Sequence, residues 1–202
     1  MITNFKIFES FEDTQREMIN NMFSRCDNKE YIKYMSEADV ELFSIDDKFD
    51  KFESIKYFLK DFYNIEVKEI EENYLVSFRA FDKNIKKIVG DYPCLFYHYT
   101  SSTLLNNILR KGLIKGYKKT NPYLNTYSGV YVTTEDWGPA VFGYVRKAIQ
   151  KHGGKGITLY IKKYLKDLKQ DPDDVGLRSG KFQFITEHVY PKEIIFHEEI
   201  HV

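Results

Sequence analysis

The sequence predicts an α+β protein, mostly helical in its first part and built of short alternating strands and helices thereafter. Three observations carry that expectation. Apolar residues recur at helical spacing through much of 1–90, Gly90-Asp91-Tyr92-Pro93 breaks the pattern, and compact strands separated by helices follow. A chain of 202 residues is long enough for one good core, or for one larger unit with a smaller N-terminal module.

Phe11, Met18, Ile19, Met22 and Phe23 have roughly helical spacing in a polar background. Phe52, Ile55, Leu59 and Phe62 make one stripe of a helix near 48–63. The pairs Asp27-Asn28 and Asp46-Asp47 are loop or cap positions. Ile65, Val67 and Ile70 alternate with charged residues, Glu71-Glu72-Asn73 supplies a turn, and Tyr74 to Phe81 is the second strand of a hairpin. Pro93 disfavours helix at Tyr92, which sets the boundary. Residues 1–92 are then a helical and hairpin extension with no motif that carries chemistry, and 93–202 a second unit.

In the second unit, Cys94 to Tyr99 is an apolar-aromatic strand, and Thr100-Ser101-Ser102 offers hydroxyls for an N-cap. Leu104, Leu105, Ile108 and Leu109 make a short helix over 103–111, which Gly112 stops. A polar loop over 115–128 leads to a strand at 129–133. Pro139 opens a helix to about His152, with Val141, Val145, Ala148 and Ile149 on one face and Gly153-Gly154 at its end. Gly156 to Ile161 is a strand, Asp171-Pro172-Asp173-Asp174 a turn, Lys181 to Val189 a strand, and Ile194-Ile195-Phe196 the last strand.

The 30 basic and 30 acidic side chains cancel, so no global field draws the chain onto nucleic acid or an acidic membrane. That disfavours a generic DNA-coating protein but leaves room for a local basic groove. The 16 Tyr and 16 Phe read first as a compositional bias, and stacking platforms for a nucleotide would require the right positions as well as the number. Cys26 and Cys94 are too few for a disulfide framework. No signal-peptide pattern is present, and no apolar run approaches the roughly 20 residues that span a bilayer. These features predict a reduced, cytoplasmic protein without a membrane partner.

Taken singly, His98 and Tyr131 are ordinary strand residues among apolar neighbours. Glu187 is less ordinary, because a carboxylate inside the strand Phe182-Gln183-Phe184-Ile185-Thr186-Glu187-His188 is disfavoured. His197-Glu198-Glu199-Ile200-His201 has the spacing of a zinc motif, but that motif needs a helix, and a strand is expected here, so no metal is predicted. Neither Cys has the surroundings of a nucleophile, and no phosphate-binding glycine loop occurs.

Three stretches in order change the picture: Tyr97-His98-Tyr99-Thr100-Ser101, Gly129-Val130-Tyr131-Val132-Thr133, and Phe182 to Glu187 followed by Pro191-Lys192-Glu193-Ile194. Over roughly 93–200 the chain resembles the ADP-ribosyltransferase superfamily, in the His-Tyr-Glu branch that holds the diphtheria-toxin-like and poly(ADP-ribose)-polymerase-like enzymes. The resemblance implies a split β-sheet core with flanking helices and NAD as co-substrate. It assigns Glu187 to catalysis, bonding the nicotinamide-ribose 2′-hydroxyl and stabilising an oxocarbenium-like sugar. His98 would bond the adenosine ribose. Tyr99 and Thr100 fall in the same binding strand, with Thr100 supporting the nicotinamide pocket. Tyr131 would stack on nicotinamide, with Tyr144 as a second stacking face.

Arg178 and Lys181 fall where this family contacts its acceptor. The acceptor implied is a macromolecule, protein or single-stranded nucleic acid. Net neutrality favours protein, whereas Phe182 and Tyr127 beside Lys181, Lys118 and Lys119 keep nucleic acid open. A bacterial or phage effector or toxin with an antitoxin or regulatory partner suits such chemistry. Two departures matter. Ile185 stands where arginine-modifying members carry Glu or Gln, and Tyr99 where a Gly is frequent. An NAD glycohydrolase and a catalytically silent nucleotide-binding module are the competing readings. A tRNA 2′-phosphotransferase, with a related fold, ranks below them, because it uses a further His and Arg where this chain has Tyr131.

Overall fold

The computed structural model describes residues 3–37, 51–79, 83–115, 129–134, 139–171 and 183–201. Among these residues it is a mixed α/β protein with six α-helices around an open, mixed sheet.

Helices α1 (Thr3–Phe23) and α3 (Lys51–Tyr63) follow the apolar periods read above. Met18, Ile19 and Met22 of the first, and Phe52, Ile55, Phe58 and Leu59 of the second, are buried. Phe62, expected on that stripe, is 44 % exposed, and Phe58 one turn earlier fills the core instead. Between them, α2 (Asn28–Glu37) starts where the Asp27 carboxylate accepts from the Lys29 amide at 2.8 Å, so Asp27 is a cap as expected. Strands β1 (Ile65–Ile70) and β2 (Asn73–Phe78) form the predicted hairpin. Its turn residues Glu71 and Glu72 both have positive φ, 46° and 61°, which suits the right-handed twist of a tight hairpin. The second strand stops at Phe78 rather than Phe81, and the Arg79 carbonyl instead accepts from the Thr134 hydroxyl at 2.9 Å. Helix α4 (Lys83–Val89) buries Ile85, Ile88 and Val89.

The central strand is β3 (Pro93–Ser101), longer than the Cys94–Tyr99 expectation because β6 (Gly156–Tyr164) pairs with all nine of its residues. Its other edge forks. Parallel β2 meets it at Cys94, and antiparallel β5 (Val130–Thr133) meets it at Tyr97. Helix α5 (Leu105–Lys111) follows a 3₁₀ turn capped by Ser101, and ends on Gly112 at φ 79°. A Cβ at Gly112 would come within 2.1 Å of the Val189 carbonyl, so the residue meets both a conformational and a spatial demand. Strand β4 (Leu113–Ile114), only two residues long, was not foreseen. Helix α6 (Pro139–His152) fits the predicted span.

After β6 come β7 (Lys169–Gln170), also unforeseen, then β8 (Gln183–Thr186), β9 (His188–Val189) and β10 (Ile194–Ile200). The expected single strand from Lys181 to Val189 is therefore corrected to two. Strand β8 pairs with β5 in the main sheet, β9 pairs with β4 in a separate two-stranded sheet, and Glu187 is the bend between them. Residues 181 and 182 lie outside the described residues, as do Asp46, Asp47 and most of the 115–128 loop.

The main sheet separates two cores by strand alternation. Cys94 and Phe96 of β3, Val130 and Val132 of β5, and Ile157, Leu159 and Ile161 of β6 face the larger core, beneath α1, α3 and α4. Leu95, Tyr97 and Tyr99 face the other way, against Val145 of α6. No helix among the described residues is long and apolar enough to cross a membrane.

Candidate functional site

Strands β3, β5 and β8 are neighbours in the sheet, in that order. His98 therefore lies on one strand, Tyr131 on the next, and Glu187 directly after the third. The His98 imidazole donates from Nδ1 to the Tyr131 carbonyl at 2.9 Å. In the neutral ring this leaves Nε2 as a lone-pair acceptor. Burial holds the His98 pKa below its ordinary value, although the bond to Tyr131 opposes that shift.

The side chains divide between the two faces of the sheet. Alternation along β3 sets His98 and Thr100 on the side of Phe96, while Tyr99 shares the α6 side with Tyr97. Val130 and Val132 join the larger core, so Tyr131 between them stands on the α6 side, cross-strand from Ile185. Thr100 and Tyr99 are interior, 4 % and 8 % exposed. Tyr144 of α6 reaches the surface, and its hydroxyl accepts from the Gln183 side-chain amide at the start of β8. The structure thus brings Tyr99, Tyr131 and Tyr144 to one face and attaches His98 to that group through the backbone of Tyr131.

Glu187 projects into solvent with its side chain 86 % exposed. The Lys115 ammonium lies 3.6 Å from its carboxylate, and the Lys115 amide donates to its carbonyl at 3.3 Å. Across the bend the Thr186 hydroxyl donates to the His188 carbonyl at 3.2 Å. Lys115 is the partner that sequence reasoning missed. It belongs to the short β4 region, 72 residues earlier in the chain, and nothing local signals the pairing. Immediately before the partner strand β5, Gly129 has no room for a side chain, since a Cβ would approach Ile185 within 2.1 Å.

Of the other candidates, Arg178 and Lys181 lie outside the described residues, as do Lys118, Lys119, Tyr127 and Phe182. Among the described residues no group of three His, Cys, Asp or Glu side chains is placed to hold a metal. His197 to Ile200 lie on β10, the strand context anticipated for that stretch. Burial pushes the thiols of both Cys26 and Cys94 up to about 12, so each is protonated near neutrality and a poor nucleophile. A cavity of ≈ 370 Å³ lies elsewhere, between α1, α3 and β1, with Ile19, Met22, Leu59 and Ile65 in its lining. Four of its rim charges pair with one another, Lys60 with Glu66 at 2.8 Å and Lys56 with Glu53 at 2.9 Å. No protein-family model matches the chain, and no curated protein matches it.

Proposed function

We propose that the protein is an NAD-dependent mono-ADP-ribosyltransferase with Glu187 as its catalytic carboxylate. The observation that carries the reading is the placement of His98, Tyr131 and the lead-in to Glu187 on the adjacent strands β3, β5 and β8, with the His98 ring hydrogen-bonded to the Tyr131 backbone. The fork of the sheet at β3 supports the split-sheet architecture that such enzymes use.

In this reading the bond between nicotinamide and C1′ of its ribose breaks, and the electron pair leaves with the nicotinamide nitrogen. Glu187 accepts a hydrogen bond from the 2′-hydroxyl and offsets the positive charge that develops on the sugar. An acceptor lone pair then forms the new bond to C1′, and the acceptor's proton passes to water. Tyr131 and Tyr144, on the same side of the sheet, supply ring faces for nicotinamide. His98, held neutral by burial, acts from the other face of the sheet by fixing the Tyr131 strand through its bond to the Tyr131 carbonyl.

The high exposure of Glu187 favours one second reading, hydrolysis of NAD with water as acceptor. Both are tested by incubating the protein with NAD labelled in its adenylate part, together with protein, RNA and single-stranded DNA acceptors. Label transfer that falls by about 100-fold or more in Glu187→Gln is the expected result. Free ADP-ribose alone would select hydrolysis. If NAD is neither bound nor consumed, the transferase reading fails.

A further inference from the structure

The formal neutrality of the chain conceals a strong segregation of charge. Residues 92–166 hold twelve Lys and Arg against two acidic residues, Glu135 and Asp136. Helix α6 concentrates part of that excess. Its inner side packs Val145 on the sheet, while Arg146, Lys147, Gln150, Lys151 and His152 are exposed. The helix contains no acidic residue, and none of Arg146, Lys147 and Lys151 has an ion-pair partner among the described residues.

The spacing organises these side chains. Gly143, Lys147 and Lys151 recur every four residues, and Arg146 and Gln150 form the adjoining row, so all five share one solvent face. Successive members of a row are separated by about 6 Å along the helix axis. Gly143 leaves open space, since a Cβ there would meet nothing within 4 Å. Beside it Tyr144 is 36 % exposed. Lys155, beyond the helix, is paired with Glu199 at 2.7 Å and marks the edge of the unpaired positive surface.

We propose that this face of α6 is a docking surface for single-stranded nucleic acid. The two rows meet phosphates, and the partly exposed Tyr144 ring beside the open Gly143 position offers a stacking platform for a base. The exposed face carries no large aliphatic side chain to insert into a lipid surface, which separates it from an amphipathic membrane helix. The surface stands on charge and geometry and does not need the transferase reading, in which the Tyr144 ring would be given to nicotinamide instead.

The test is fluorescence anisotropy of a labelled oligothymidylate without NAD, from low to moderate salt, with the Arg146→Gln/Lys147→Gln/Lys151→Gln protein compared with the parent. An unchanged thermal melt would show that the triple variant is folded. Loss of three phosphate contacts reduces the slope of log affinity against log salt by about 2 and weakens binding at low salt by about tenfold or more. Glu187→Gln protein binds like the parent, so failure of this surface and failure of the transferase reading are distinguishable.

Absence of binding by the parent protein, or an unchanged slope in the triple variant, overturns the proposal. So does equal binding of polyglutamate or of phosphatidylserine vesicles. Sedimentation at the same salt concentrations covers a second copy of the chain: self-association that the triple substitution abolishes while oligonucleotide binding persists assigns the face to a homodimer instead. Tighter binding of a duplex than of the single strand overturns the single-strand assignment.

Discussion

Phe58 and Glu187 mark two regions built on different principles. Phe58 is fully buried and is ringed by Phe23, Tyr31, Tyr34, Phe62 and Tyr63, with centroids 5.1 to 6.1 Å away. Pairs of this kind each contribute about 0.5–1.5 kcal/mol beyond the area they bury, so this end of the helical region draws much of its stability from one residue and its neighbours. Glu187 lies on a bend between two sheets, with one loose ion pair and a solvated carboxylate. Exposed pairs of that sort are worth about 0–1 kcal/mol. The contrast teaches that the candidate catalytic carboxylate sits where little of the stability does, so Glu187 can be changed without unfolding the protein.

The strongest challenge to that contrast is Phe58→Ala. It leaves a cavity at the centre of the aromatic cluster and lowers unfolding free energy by about 3–5 kcal/mol, read from denaturant midpoints. A cost near 1 kcal/mol would show that the cluster collapses around the gap and that the helical region is less concentrated than its geometry suggests. Next in size is Gly112→Ala, where the left-handed φ and the approach to the Val189 carbonyl act together. A loss of about 2 kcal/mol is expected, together with faster hydrogen exchange in β4 and β9.

His98 sharpens the comparison through pH. Its folded-state pKa is lowered, so below its ordinary value of 6.5 the unfolded chain binds a proton that the native protein refuses. Stability therefore falls on acidification from about pH 7 toward the lowered pKa, by at most about 1.4 kcal/mol per pH unit from this one group. Melting temperatures across that range should show a slope that His98→Asn reduces. The smallest effect is Glu187→Gln, which should shift unfolding free energy by less than about 0.5 kcal/mol even where it abolishes label transfer. A large destabilisation there would make Glu187 a structural residue and remove the contrast.

Helices α1, α3, α5 and α6 and the hairpin were legible because their signals are local, whereas α2 and α4 carry no expectation from the sequence. Met18, Ile19 and Met22 repeat with the helix period, Glu71-Glu72-Asn73 occupies a tight turn, and Gly112 and Gly153-Gly154 follow the last helical residues. The order of the strands bearing His98 and Tyr131 was also readable. The break at Glu187 was not, since Phe182 to Val189 is continuous in character and the change of partner is imposed by β4 and β5, which lie far earlier in the chain. Strands of two residues, such as β4 and β7, are too short to show alternation at all. The positive surface of α6 was present in the sequence, but a whole-chain sum of zero averages it away.

By itself the sequence determined the periods, the turns, the residue types of the candidate site and the charge of each segment, because each depends on neighbours a few positions apart. Alternation also says which residues of a strand share a face. Only the tertiary structure decided that β3 forks between β2 and β5, that His98 and Tyr131 stand on opposite faces yet join through a backbone carbonyl, and that Lys115 meets Glu187. Register against a distant strand is chosen by the packing of both cores at once, and no single stretch of sequence carries that information.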